Sequence, residues 1–165
     1  MIPIVTLLIN DPRWLAFASE DEWCQKFAQG AEALFQHVDA PQAALEISIV
    51  LTNDEESHVL NLQYRGQDKP TNVLSFPGLD PDDLSAIHDP DMPLLLGDIV
   101  VSLETVLKET EQQGKIFEHH VMHLIIHGIL HLLGYDHEHE ADAAVMESLE
   151  VIILKNLGIN TPYIE

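Results

Sequence analysis

Cysteine occurs once, at Cys24. That excludes an intramolecular disulfide and a multi-cysteine zinc cage, and it fits a reducing, cytoplasmic compartment. Basic side chains are scarce as well: 7 Lys and Arg stand against 28 Asp and Glu, a formal net charge of −21 with His neutral. Such a chain lacks the basic footprint by which general nucleic-acid binders neutralise phosphates. If a nucleic acid is the substrate, a local site must overcome the global field. No apolar run reaches the roughly 20 residues needed to span a bilayer; the longest, Val121 to Leu133, is interrupted by His123, His127 and His131. The apolar run Ile2 to Ile9 has no basic leader and meets Asn10-Asp11-Pro12, so a strand is expected there and not a signal core. Internal repeats and low-complexity tracts are absent.

What is present is a chain of 165 residues that is 46% hydrophobic despite its charge. That length argues for one domain, which can bury roughly 70% of its unfolded surface. Strands are expected at Ile2 to Ile9, Leu45 to Leu51, Val73 to Phe76 and Leu94 to Val101, each apolar or β-branched and bounded by turn residues. Ser19 followed by Glu22 predicts a capping box opening a helix to about His37. Asn53 or Asp54 is expected to cap a second helix through Tyr64, and Ser102 a third through about Gln113. A fourth, about Lys115 to Leu133, is apolar nearly all round and should be the central buried helix. A fifth runs from Glu138 to Leu157, with Met146 in its core face. The segment Pro77 to Pro93, with four prolines and five aspartates, reads as a solvated loop. The expectation is a small α+β fold: a four-stranded sheet with helices around one buried helix.

Chemistry concentrates in His127-Gly128-Ile129-Leu130-His131-Leu132-Leu133-Gly134-Tyr135-Asp136-His137. Residues four apart share a helix face, so His127 and His131 can offer two imidazoles to one metal ion, and a glycine stop at Gly134 lets His137 return as a third. Three imidazoles suit one Zn²⁺ and leave a fourth position for water, the form of a catalytic site. A lone histidine on a buried helix is ordinarily a core residue, but three at this spacing are hard to explain by packing. The pattern matches the metzincin ligands and glycine while placing Gly128 where a metalloprotease carries its general-base glutamate. Peptide hydrolysis by that route is demoted. Asp98 and Asp136 are the acids best placed to orient a ligand imidazole, and His123, one turn before His127, is expected beside the ligands as a supporting group, with His119 further off.

The histidine box resembles that of the YbeY family of bacterial metal-dependent endoribonucleases. Asn61 to Pro77 looks like that family's N-x-x-Y-R-x-x-D-K-P-T-D-V-L-S-F-P segment, and Leu96-Gly97-Asp98-Ile99 like its L-G-D-I segment. One departure is Asn72, where the family usually has Asp. The resemblance implies a single endoribonuclease domain over 1–165, one zinc held by His127, His131 and His137, and cleavage of single-stranded RNA. The partners it implies are rRNA and the ribosome or its associated proteins, in 16S rRNA 3′-end maturation and ribosome quality control, with no DNA and no membrane. Arg65 is expected as the phosphate-binding catalytic cation, together with His127, because a guanidinium binds phosphate oxygens bidentately. Lys69 and Ser75 are expected as substrate contacts. Two competing readings stay open: a ribosome-assembly factor with a structural metal, and a protease with an unrecognised base.

Overall fold

Alternation in the second strand sets the architecture. Leu45, Ile47, Ile49 and Leu51 are all buried, while the residues between them are only partly covered, so one face of the sheet carries the core. The computed structural model describes residues 3–39, 44–79, 93–136 and 138–160. Its strands are β1 (Ile4–Ile9), β2 (Ala44–Thr52), β3 (Val73–Pro77) and β4 (Pro93–Ser102), in the spatial order β1-β2-β4-β3. The first three neighbours run parallel, and β3 pairs antiparallel with β4 at one edge. Five helices complete the single α+β domain: α1 (Glu20–Phe35), α2 (Asp54–Arg65), α3 (Leu103–Gln113), α4 (Phe117–Leu132) and α5 (Glu140–Asn156). A 3-10 turn at Pro12–Ala16 was not anticipated; Asp11 caps it and its Trp14 is fully buried, with the indole donating to the Thr52 carbonyl at 2.8 Å.

The expected capping box is present: Ser19 Oγ accepts from Glu22 N, and the Glu22 carboxylate accepts from Ser19 N. Ser102 behaves differently. It stands at the start of α3, but its hydroxyl donates to Asp54 Oδ1 at 2.6 Å and makes no cap. That bond ties the start of α3 to α2. The start of α5 is also later than the pattern predicts, because Asp136 Oδ1 accepts from Glu138 N at 3.0 Å and holds that residue in a turn.

Helix α4 is the centre of the molecule, with ten of its residues buried. Ile125, Ile126, Ile129 and Leu130 are completely covered by the sheet, α1 and α5. Each such side chain contributes about 1.5–3 kcal/mol by leaving water. Where α4 crosses the β3–β4 edge the residue is Gly128, and a Cβ there would lie 3.0 Å from Ser75 Oγ and 3.1 Å from the Ile99 side chain. The glycine therefore lets the helix rest almost directly on the sheet. Most of the acidic loop, residues 80–92, lies outside the described residues, as does His137. Among the described residues no helix is long and apolar enough to cross a membrane.

Candidate metal centre and cleft

His127 and His131 sit on the last turns of α4, at the side of Gly128 that faces β3. Their Nε2 atoms lie 3.0 Å apart. The opposite ring nitrogens are both committed to acceptors: His127 Nδ1 to Glu150 Oε1 at 2.9 Å, and His131 Nδ1 to the Tyr135 carbonyl at 3.0 Å. An acceptor at Nδ1 puts the proton there and leaves Nε2 as a lone pair in the neutral ring. Two such lone pairs turned toward one point repel unless a cation lies between them.

The Tyr135 carbonyl arrives through the turn that ends α4. Tyr135 N donates to Leu130 O and Gly134 N to His131 O, both at 3.0 Å, which is the double bond of a Schellman motif. It needs a left-handed residue, and Gly134 has φ 98°. The glycine stop thus does more than release the chain toward His137: it orients His131.

Glu150 was not singled out from the sequence. It comes from α5, is 1% exposed, and its Oε1 accepts from both His127 Nδ1 and His123 Nε2, the latter at 3.0 Å. A signal was legible. Met146, Glu150, Ile153 and Leu154 form the buried stripe of α5, and a carboxylate at a core position of a helix needs partners that repay its desolvation. His123 is thereby joined to His127 through the shared Glu150 carboxylate oxygen. His119 lies further off, lining a separate cavity of about 290 Å³ with His120, His123 and Lys115.

Across from the histidines opens a cleft of about 690 Å³, walled by α2, the loop after it, the free edge of β3 and the α4–α5 turn. Arg65, the last residue of α2, enters it. Its Nη2 donates to the Ser75 carbonyl at 2.8 Å and its guanidinium carbon lies 5.9 Å from the Phe76 ring centre. Ser75 lines the cleft, with its hydroxyl directed at Gly128. Asp136 also lines it. Lys69 is exposed on the loop and is not a wall of the cleft; its carbonyl accepts from Asn61 Nδ2 at 2.8 Å. Asp98 is not brought to the histidines. It pairs directly with Phe76, whereas Ser75 pairs with Ile99, so Asp98 projects from the sheet face away from Gly128.

Asn72, the departure from the family pattern, lines the same cleft and donates to Glu109 at 3.1 and 3.2 Å. Behind it Glu109 meets His120 Nε2 at 2.9 Å. His120 is 5% exposed, and burial holds its pKa below the usual imidazole value despite the carboxylate beside it.

The donor set fits a divalent metal. Zinc–imidazole bonds of 2.0–2.1 Å at a tetrahedral angle separate two nitrogens by about 3.3 Å, close to the spacing found, and the Nδ1 partners are the kind that ligating histidines use to fix their tautomer. Among the described residues two of the expected ligands are brought together and no metal-holding group of three His, Cys, Asp or Glu is found; the third expected ligand, His137, falls outside them. With a cation held by the two nitrogens, a cleft that Arg65 also lines would bind and polarise a phosphate ester.

Comparison with known proteins follows the same line. A model of the family described as Endoribonuclease YbeY matches residues 12–158. A protein named Endoribonuclease YbeY from Rhodopseudomonas palustris strain HaA2 is 44% identical over 163 residues, 98% of this chain and 82% of that protein. One of the same name from Paramagnetospirillum magneticum is 49% identical over 126 residues, 76% of each. A solution structure of a Thermotoga maritima protein shares the fold, with TM-score 0.57 and 21% identity over 98% of this chain and all of that one.

Proposed function

The chain belongs to the YbeY endoribonuclease family, and from that premise we propose that it is a zinc-dependent endoribonuclease cutting single-stranded RNA. The physiological substrate in this reading is rRNA at the 3′ end of 16S rRNA, met on or near the ribosome in the cytoplasm, with a part in ribosome quality control. The observation that carries it is the pair of Nε2 atoms held 3.0 Å apart in a cleft that Arg65 also lines.

His127, His131 and, by its spacing, His137 would hold the metal. Bound zinc supplies a Lewis acid and lowers the pKa of water toward 7, which answers the lack of a carboxylate at position 128. The protein's own groups do the rest. Glu150 holds the proton on His127 Nδ1 and so keeps Nε2 available. The Ser75 carbonyl and the Phe76 ring fix Arg65, whose other N–H groups can bracket non-bridging phosphate oxygens and stabilise the charge that builds on them. Ser75 and Asn72 offer polar contacts along the cleft floor. The same geometry speaks against the protease reading. An extended peptide added to the β3 edge needs its carbonyls, and the Ser75 carbonyl already accepts from Arg65.

The test is cleavage of labelled single- and double-stranded RNA by protein freed of contaminating nuclease. Zinc-dependent cutting of the single strand, lost in His131→Ala and in a metal-retaining Arg65→Ala, is the expected result. Equal behaviour of wild type and His131→Ala would defeat the proposal. An Arg65→Ala protein that loses cleavage in vitro but processes rRNA normally in cells would favour the assembly-factor reading.

A further inference from the structure

Tyr64 is the most exposed aromatic residue among the described residues, at 60% against 40% for Phe17, in a fold that buries Trp14, Trp23 and Phe27. It stands next to Arg65 at the end of α2, with its ring against Phe76 at 5.2 Å between centres and 65° between planes. Phe76 in turn carries the Arg65 guanidinium. The three form one ledge beside the cleft: Arg65, which is the cleft wall among them, a ring next to its guanidinium, and an outer aromatic residue that is largely in water.

We propose that the Tyr64 ring, braced by Phe76, is a stacking subsite for one unpaired base of the RNA, adjoining the phosphate held at Arg65. The inference rests on the nuclease reading above and adds to it a source of affinity and of strand selectivity. A chain of net charge −21 repels a polyanion and gains little from counterion release. Stacking is the contribution it can make without charge, because every base has a π-face. A base reaches an exposed ring only when it has left its neighbours, so the ledge admits single strands and rejects paired ones. Arg65 beside the ring is the arrangement in which a phosphate and the adjoining base are bound together.

The experiment uses the intact zinc-loaded protein and a short single-stranded RNA carrying 2-aminopurine, with fluorescence followed at times before cleavage accumulates. Binding to wild type should quench the fluorophore. Tyr64→Phe and Tyr64→Trp should keep the quench; Tyr64→Ala and Tyr64→Leu should lose it along with about tenfold or more of the affinity. KM should rise with little change in kcat, and an abasic nucleotide at the contacted position should weaken wild type to the level of Tyr64→Leu. Leucine preserves an apolar contact with Phe76, so a loss of binding in that variant at unchanged melting temperature separates stacking from support of the fold. Quenching and affinity in Tyr64→Leu equal to wild type would overturn the subsite while leaving the nuclease reading intact. If wild type itself bound no single-stranded RNA, the nuclease reading would fall first.

Discussion

The Nε2 atoms of His127 and His131 face one another at 3.0 Å, each ring anchored behind by an acceptor on its Nδ1. Neither anchor belongs to the same turn of helix. Glu150 comes from α5, and the Tyr135 carbonyl from the chain reversal at Gly134, so one tertiary contact and one local turn set the direction of two side chains on α4.

Glu150→Gln should therefore weaken metal retention without removing a ligand. An amide offers one acceptor oxygen without charge, and loss of such a supporting group typically costs 10- to 100-fold in affinity. Zinc titration against a chelating indicator should show this shift for Glu150→Gln and near-complete loss for His131→Ala. An unchanged zinc affinity in Glu150→Gln would mean that His127 is oriented by something else.

Gly128→Ala sets two terms against each other. Alanine is about 1 kcal/mol better than glycine in a helix interior, while overpacking a core contact costs about 1–3 kcal/mol. Its Cβ would meet Ile99, a β-branched residue that is fully buried, at 3.1 Å, and Ser75 Oγ at 3.0 Å. The clash should win, lowering stability in urea titrations, and Ser75→Ala in the same chain should recover part of the loss. Increased stability in the single variant would show that α4 can shift.

Asn72→Asp should introduce a pH-dependent defect. The amide now donates to Glu109 at 3.1 and 3.2 Å; a carboxylate there would face another, and the pair would retain a proton in the folded state. A folded pKa raised above the unfolded one gives stability at low pH that is lost as pH rises through the folded value. The gap in melting temperature between this variant and wild type should widen from pH 5 toward pH 8. A constant gap would place Asn72 and Glu109 apart in solution.

His120 carries the opposite dependence. Burial depresses its folded pKa, in the presence of Glu109, Lys115 and His123, so the unfolded chain takes up its proton first as pH falls below about 6.5. Stability from this group is full above that value and declines beneath it. Replacing it with Gln should flatten the acid side of the stability profile between about pH 6.5 and 5, measured as the difference from wild type. Parallel profiles would assign the acid loss to other groups.

Arg65→Lys should reduce cleavage far more than zinc content. Lysine keeps the charge but loses the planar fork that serves the Ser75 carbonyl and a phosphate together. The expected readout is a fall of about 100-fold or more in kcat with unchanged metal stoichiometry. Activity within a few-fold of wild type would make Arg65 a simple point charge.

Local signals placed most of the fold. Short apolar or β-branched runs bounded by turn residues located β2 and β4, the Ser19–Glu22 box opened α1 where expected, and an all-round apolar run marked α4 as central. The same local logic paired His127 with His131 and stopped the helix at Gly134. It could not place Asp98, because a strand residue's face depends on register with β3, or Lys69, which is not among the residues lining the cleft. Glu150 escaped notice because its partners are 23 and 27 residues away.

Gly128 shows where the boundary lies. From the sequence it is an absence, a base that a protease has and this chain does not. In the folded molecule it is the contact point of α4 with Ser75 and Ile99, so any side chain placed there would have to push those neighbours aside. Residue spacing along one helix determined which imidazoles share a face, since that depends only on the helical repeat. Which nitrogen His127 offers, and that Arg65 lines the same cleft, was decided by tertiary structure, because Glu150 reaches the His127 Nδ1 from α5 and the strand β3 that holds the guanidinium lies on another element, whereas the Tyr135 carbonyl behind His131 comes from the local turn at Gly134.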